Sequence, residues 1–110
     1  MNNNNPYLEI TPAQAKAILD KGEAVLIDVR ENGEYEEVRA TGAKHIPLGT
    51  LAARLKEIPT DKDVLMICKG GGRSAMACQL AGQAGYKRLY NIAGGTMAWQ
   101  AANLPIERGK

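Results

Sequence analysis

The sequence predicts an α/β fold: a mainly parallel sheet covered by helices on both faces. Two observations carry this. Short apolar or β-branched runs alternate with helix-like segments along most of the 110 residues. Two of the runs, 24–27 and 64–67, are apolar at every position, as strands buried on both faces require.

The elements follow in order. Residues 1–6, with asparagine at 2–5, read as a frayed tail, and 7–110 as a single domain. Residues 7–10 read as a short strand. Thr11 is placed to cap a helix, Pro12 suits its first position, and the helix over 13–19 ends at Gly22. The run 24–27 is a buried strand ending at Asp28. Residues 31–38 read as a short charged helix weakened by Gly33. A break at Thr41-Gly42 precedes another short strand over 43–48. Thr50 is placed to cap a helix over 51–57. Residues 63–67 form a second buried strand that ends at Cys68. Residues 69–72 are a glycine loop, and 74–84 a helix apolar on nearly every side and closed by Gly85. A strand over 88–92 follows, and Gly94-Gly95 leads into a helix around Trp99.

Composition narrows the function. A formal charge of +2 gives no global argument for nucleic acid or an anionic membrane, and no apolar run is long enough to span a bilayer. The start has no basic segment followed by an apolar core, so a cytoplasmic protein is expected. In that compartment Cys68 and Cys78 are free thiols. With one histidine and no CxxC pair, the chain implies neither a metal nor an organic cofactor.

In a parallel α/β sheet the reactive groups gather at the carboxyl ends of strands, which singles out Asp28 and Cys68. The segment Cys68-Lys69-Gly70-Gly71-Gly72-Arg73-Ser74 joins a buried strand to a helix. Its glycines let successive N–H groups curl inward as an anion nest, and the helix behind adds its positive end. Lys69 and Arg73 add full charges. All of these favour a thiolate at Cys68 over a neutral thiol. The cradle suits a persulfide anion or an oxyanion substrate.

Other residues read as structural. Asp28 caps the next turn or pairs with a neighbouring arginine. Arg30 and Glu34 have the i, i+4 spacing of an ion pair. His45 precedes Ile46-Pro47 at a strand entry, and the nest activates Cys68 without it. Cys78 sits inside an apolar helix and reads as packing. Trp99 and the tyrosines read as core or pocket wall. Arg54 and Lys56 fall on a solvated helix face.

The segment around Cys68 resembles the active loop of the rhodanese family, Cys-x-x-Gly-x-Arg-Ser, which Cys68, Gly71, Arg73 and Ser74 match. Asp28-Val29-Arg30-Glu31 followed by Glu34-Tyr35 is similar to a second family motif. Gly94-Gly95-Thr96-Met97-Ala98-Trp99 is similar to a third. The order and spacing agree from about Ile10 to Ile106. The resemblance implies a five-stranded, mostly parallel sheet with helices on both sides, and transfer of sulfane sulfur. It makes Cys68 the nucleophile and persulfide carrier. The amides from Lys69 to Ser74 hold the sulfur, and Lys69 and Arg73 draw in and orient a small anionic donor such as thiosulfate. A thiol or protein then accepts the sulfur. Asp28 and Arg30 support the site. Two positions depart from the family pattern: Arg39 stands where histidine is usual, and Asn103 where glycine is common.

Three other functions compete with this one. Cysteine phosphatases also use a thiolate in an arginine-closed anion loop, but their signature spaces Cys and Arg one residue further apart, making a larger cradle. A nucleotide-binding loop requires Gly-Lys-Ser/Thr after its glycines, which Arg73-Ser74 does not supply. A non-enzymatic interaction module of the same family usually lacks the cysteine present here, whereas a carrier that only relays sulfur between proteins keeps it and stays open as the alternative.

Overall fold

A computed structural model describes residues 5–110. The strands are β1 (Tyr7–Ile10), β2 (Ala24–Asp28), β3 (Arg39–Ala40), β4 (Lys44–His45), β5 (Asp63–Ile67), β6 (Leu89–Ile92) and β7 (Ile106–Glu107). The helices are α1 (Pro12–Asp20), α2 (Asn32–Glu37), α3 (Leu48–Leu51), α4 (Gly72–Gln83) and α5 (Gly95–Ala101), with a 3-10 helix over Ala52–Glu57. Five strands form one sheet in the order β1-β6-β5-β2-β4, every pair parallel. β3 and β7 pair antiparallel outside it, an element the sequence pattern did not announce.

The sheet is buried on both faces. Along β5, Val64 and Met66 face the core under α3 and α4, while Leu65 and Ile67 face the core under α1 and α5. Because side chains alternate along a strand, Cys68 continues the first row and points to the α4 side. Leu89 on β6 lies in that same core, so Asn91 points there too.

Local chemistry accounts for most boundaries. Thr11 caps α1 with a full capping box: its side chain accepts from the Gln14 amide, and the Gln14 side chain accepts from the Thr11 amide. Glu31 and Glu34 make the corresponding box for α2.

Several expectations are corrected. The strand expected over 43–48 is only Lys44–His45, because Pro47 removes a donor and the chain turns at once into α3. Thr50 is therefore inside that helix, and its hydroxyl donates to the Pro47 carbonyl instead of capping a later start. The helix expected over 51–57 is split between α3 and the 3-10 turn, with Arg54 outside helical geometry (φ −117°, ψ 15°). The Tyr86 hydroxyl reaches the carbonyls of Leu55 and Ile58 at 2.7 and 2.6 Å and ties off that turn. Helix α4 begins at Gly72, inside the glycine run, because Gly71 turns the chain with φ +113°.

Of the expected tail, residues 1–4 lie outside the described residues. Asn5 already accepts a hydrogen bond from Gln79 on α4. Asn103 holds a left-handed backbone (φ 59°), which explains why glycine suits the position and why asparagine serves there.

Candidate functional site

The site forms where β5 ends and α4 begins. Cys68 is 1% exposed and its sulfur looks into the curl of the loop. The Gly71 amide donates to Sγ at 3.1 Å, and the Ser74 hydroxyl lies 3.3 Å from it. The amides of Gly70 and Ser74 converge on the same atom. Burial alone would push this thiol up. The Ser74 hydroxyl and the amides of Ser74, Gly71 and Gly70 outweigh it, and the thiol lies below its ordinary range. The nest is a matter of geometry, with Gly71 providing the left-handed turn that aims the amides inward.

The start of α5, which follows β6 at the same end of the sheet, holds the loop in shape. The Thr96 amide and hydroxyl donate to the Cys68 carbonyl at 2.8 and 3.0 Å, and the Met97 amide donates to the Lys69 carbonyl at 3.2 Å. With its carbonyls drawn toward α5, the loop turns its amides toward the sulfur. This approach is so close that a Cβ on Gly95 would stand 2.4 Å from the Cys68 carbonyl oxygen, and Gly95 also has φ +58°. The Gly94-Gly95 pair is thus part of the sulfur site.

Ion pairs differ from the expected pattern. Arg30 does not pair with Glu34. Its guanidinium lies on Asp28, with Nη2 to Oδ2 at 2.8 Å and Nε to both oxygens, and Nη2 also donates to the Val38 carbonyl. The pair is 4% and 0% exposed, so removing one partner would strand a buried charge at a cost of about 3–5 kcal/mol. Asp28 and Arg30 are therefore locked together at the end of β2. Glu34 instead takes Arg73 in a two-point pair at 2.7 and 2.9 Å. Chiefly through Arg73's hydrogen bonds, its carboxyl is lowered to about 2. The charge expected to orient a donor is spent bracing α4 against α2, which leaves Lys69 as the exposed loop cation without an ion pair among the described residues. A cleft of about 310 Å³ opens on this flank, lined by Lys69, Glu34, Glu37, Thr96, Met97 and Arg108 among others.

The remaining candidates are held in other contacts. The His45 Nε2 meets the Arg30 carbonyl at 2.7 Å, and its ring stacks on Tyr35 at 4.2 Å. Arg39 lies over the same tyrosine and reaches the Gly109 carbonyl, so it fastens the chain's end beside β3. Cys78 is fully buried; burial, with the nearby Glu9 charge, pushes its thiol up to about 12. Trp99 is core, its Nε1 donating to the Pro105 carbonyl.

Sequence reasoning passed over Asn91, Thr96 and the Glu34–Arg73 pair. Asn91 had a signal: a polar residue at an inward position of a buried strand. Its Oδ1 accepts from the Ser74 hydroxyl at 2.5 Å.

Known proteins are similar to this chain along most of its length. The rhodanese-like domain profile matches residues 11–102. A sulfurtransferase of Allochromatium vinosum is 35% identical over 84% of this chain and 86% of its own. The thiosulfate sulfurtransferase GlpE of Glaesserella parasuis is 33% identical over 94% of this chain and 95% of its own. Among solved structures, a rhodanese-related protein of Thermoplasma volcanium superposes with a TM-score of 0.84 at 27% identity, covering 92% of this chain and 98% of that one.

Proposed function

The chain belongs to the rhodanese-like domain family, and from that premise we propose that it moves sulfane sulfur from a small anionic donor to a thiophilic acceptor through a persulfide on Cys68. The observation that carries the proposal is the sulfur's setting: a buried thiol held below its ordinary range by one hydroxyl and three amides. The Cys68 thiolate attacks the outer sulfur of thiosulfate. The S–S bond of the donor breaks, sulfite leaves with the electron pair, and the persulfide anion occupies the nest. A thiol, cyanide or a protein cysteine then attacks the outer sulfur, and the pair from the second S–S bond returns to Sγ as thiolate.

The amides of Gly70, Gly71 and Ser74 and the Ser74 hydroxyl stabilise charge on sulfur in both steps. Lys69 draws the anionic donor toward the loop. Gly72 opens α4, and Arg73 fixes the loop through Glu34. That engagement weighs against phosphatase chemistry, in which the arginine must turn onto phosphate oxygens. Two free thiols suit a reducing cytoplasm, and no helix among the described residues is long and apolar enough to cross a membrane.

The test is thiocyanate formation from thiosulfate and cyanide by wild type, Cys68→Ala and Cys78→Ser. Turnover in wild type and Cys78→Ser but not in Cys68→Ala is the expected result. A folded wild type without turnover removes thiosulfate as donor. A gain of one sulfur in mass at Cys68 would then leave a protein sulfur relay, and its absence would defeat the persulfide route.

A further inference from the structure

Three side chains meet beneath the sulfur. β1, β6 and β5 are adjacent, and Asn91 stands in register with Glu9 on one side and Met66 on the other. The Asn91 Nδ2 donates to Glu9 Oε2 at 2.9 Å and to the Gly71 carbonyl at 3.1 Å. Two acceptors on that nitrogen fix the orientation of the amide. Flipping it would face Oδ1 against both of them. Oδ1 therefore points at Ser74, and as a pure acceptor it takes the Ser74 hydroxyl proton at 2.5 Å. The hydroxyl has only that one proton. The Cys68 sulfur, 3.3 Å from the same oxygen, competes for it.

We propose that Asn91, locked by Glu9, is a positioning residue that keeps the Ser74 hydroxyl on its own carbonyl while Cys68 is neutral and yields it when negative charge forms on the sulfur. In the neutral state the thiol proton points to Ser74 Oγ, whose own proton points to Asn91. When the thiol proton leaves to solvent, the hydroxyl rotates onto Sγ and Oδ1 loses its donor. Asn91 is 1% exposed, so that loss is not made good by bulk water and opposes ionisation. The same rotation answers the charge returning to Sγ when the persulfide bond breaks. From the proposed function this inference takes only that Cys68 is the reacting sulfur.

Charged groups face the trio from the elements around it, and of these the Arg73 guanidinium interacts with Cys68. They are Lys69 on the loop, Arg73 in the first turn of α4, Glu31 and Glu34 at α2, and Glu9 on β1; Cys78 on α4 is the other titratable group close by. The test must separate the hydroxyl's contribution from theirs.

The experiment is the pH dependence of Cys68 alkylation by iodoacetamide, read by mass on the intact chain. Asn91→Ala and Glu9→Gln are each made in wild type and in Ser74→Ala. Ser74→Ala alone should raise the midpoint. Asn91→Ala should lower it by about half to one pH unit in wild type, the worth of one hydrogen bond, and leave it unmoved in Ser74→Ala. Glu9→Gln reports from the surface even if Asn91→Ala does not fold. Its drop should be larger in wild type than in Ser74→Ala, where only the charge effect remains. A midpoint that rises or stays fixed in Asn91→Ala, or equal shifts in both backgrounds for either variant, would overturn the proposal. Thiol ionisation is read directly, so the result does not depend on sulfur transfer.

Discussion

Cys68 and Cys78 are both buried cysteines on the α4 side of one sheet, packed into the same core. They differ in what surrounds the sulfur. Cys68 faces a hydroxyl and three amides, whereas the Cys78 thiol, among the described residues, hydrogen-bonds only to the Tyr90 carbonyl 3.6 Å away, which can only accept. A carbonyl does nothing for a thiolate. Burial therefore raises Cys78 to about 12, while at Cys68 the donors reverse the same penalty. Reactivity in this domain follows the direction of nearby N–H and O–H groups, and depth alone says nothing about it.

The sharpest way to break this comparison is chemical. With Cys78 at about 12 and Cys68 below the ordinary 9.0, their thiolate fractions near neutral pH differ by at least about a thousandfold. Iodoacetamide on the folded chain should label Cys68 alone, as peptide mapping would show. In denaturant the two should react at similar rates. Comparable labelling of both in the folded chain would mean that the loop does not single out its cysteine.

A second prediction attacks the loop without touching either sulfur. Gly95→Ala puts a methyl 2.4 Å from the Cys68 carbonyl and at a left-handed backbone position. The loop must retreat from α5, and its amides turn from Sγ. Stability should fall by about 1–3 kcal/mol, and the Cys68 midpoint should rise toward that of an ordinary thiol. Cys78, which touches none of this, should keep its slow alkylation. Urea titration and alkylation kinetics of the one variant report both halves.

The same contrast explains what the sequence disclosed. The strands at 24–28 and 63–67 were legible because an unbroken apolar run is a local signal, and Cys68 followed from its place at a strand end before glycines. Cys78 was legible as packing from the apolar helix around it. The partners of the charged residues were not. Arg30 at i, i+4 from Glu34 is a local expectation, yet Asp28 lies closer in the turned chain and Glu34 is claimed by Arg73, far away in sequence. Asn91 and Thr96 act on the loop only because β6 and the start of α5 lie beside it, a fact of topology. The 3-10 turn over Ala52–Glu57 depends on Tyr86 in the same way.

The smallest effect lies at the rim of the loop. The Glu34 carboxyl sits at about 2 in the folded chain against an ordinary 4.5, because Arg73 holds its charged form. A carboxyl lowered on folding stabilises the fold above its ordinary range, and that contribution is lost as pH falls toward the folded value. The pair is about one-third exposed, so its worth is at most about 1 kcal/mol. Glu34→Gln should thus melt slightly below wild type at about pH 6, and the gap should narrow below about pH 4 and close at about pH 2. Arg73, released from Glu34, is then free to swing toward the sulfur. The Cys68 midpoint should fall slightly in this variant, and Cys78 should not respond. A Glu34→Gln chain with an unchanged acid limb and an unchanged Cys68 midpoint would show that Arg73's grip on α2 contributes nothing to the sulfur site.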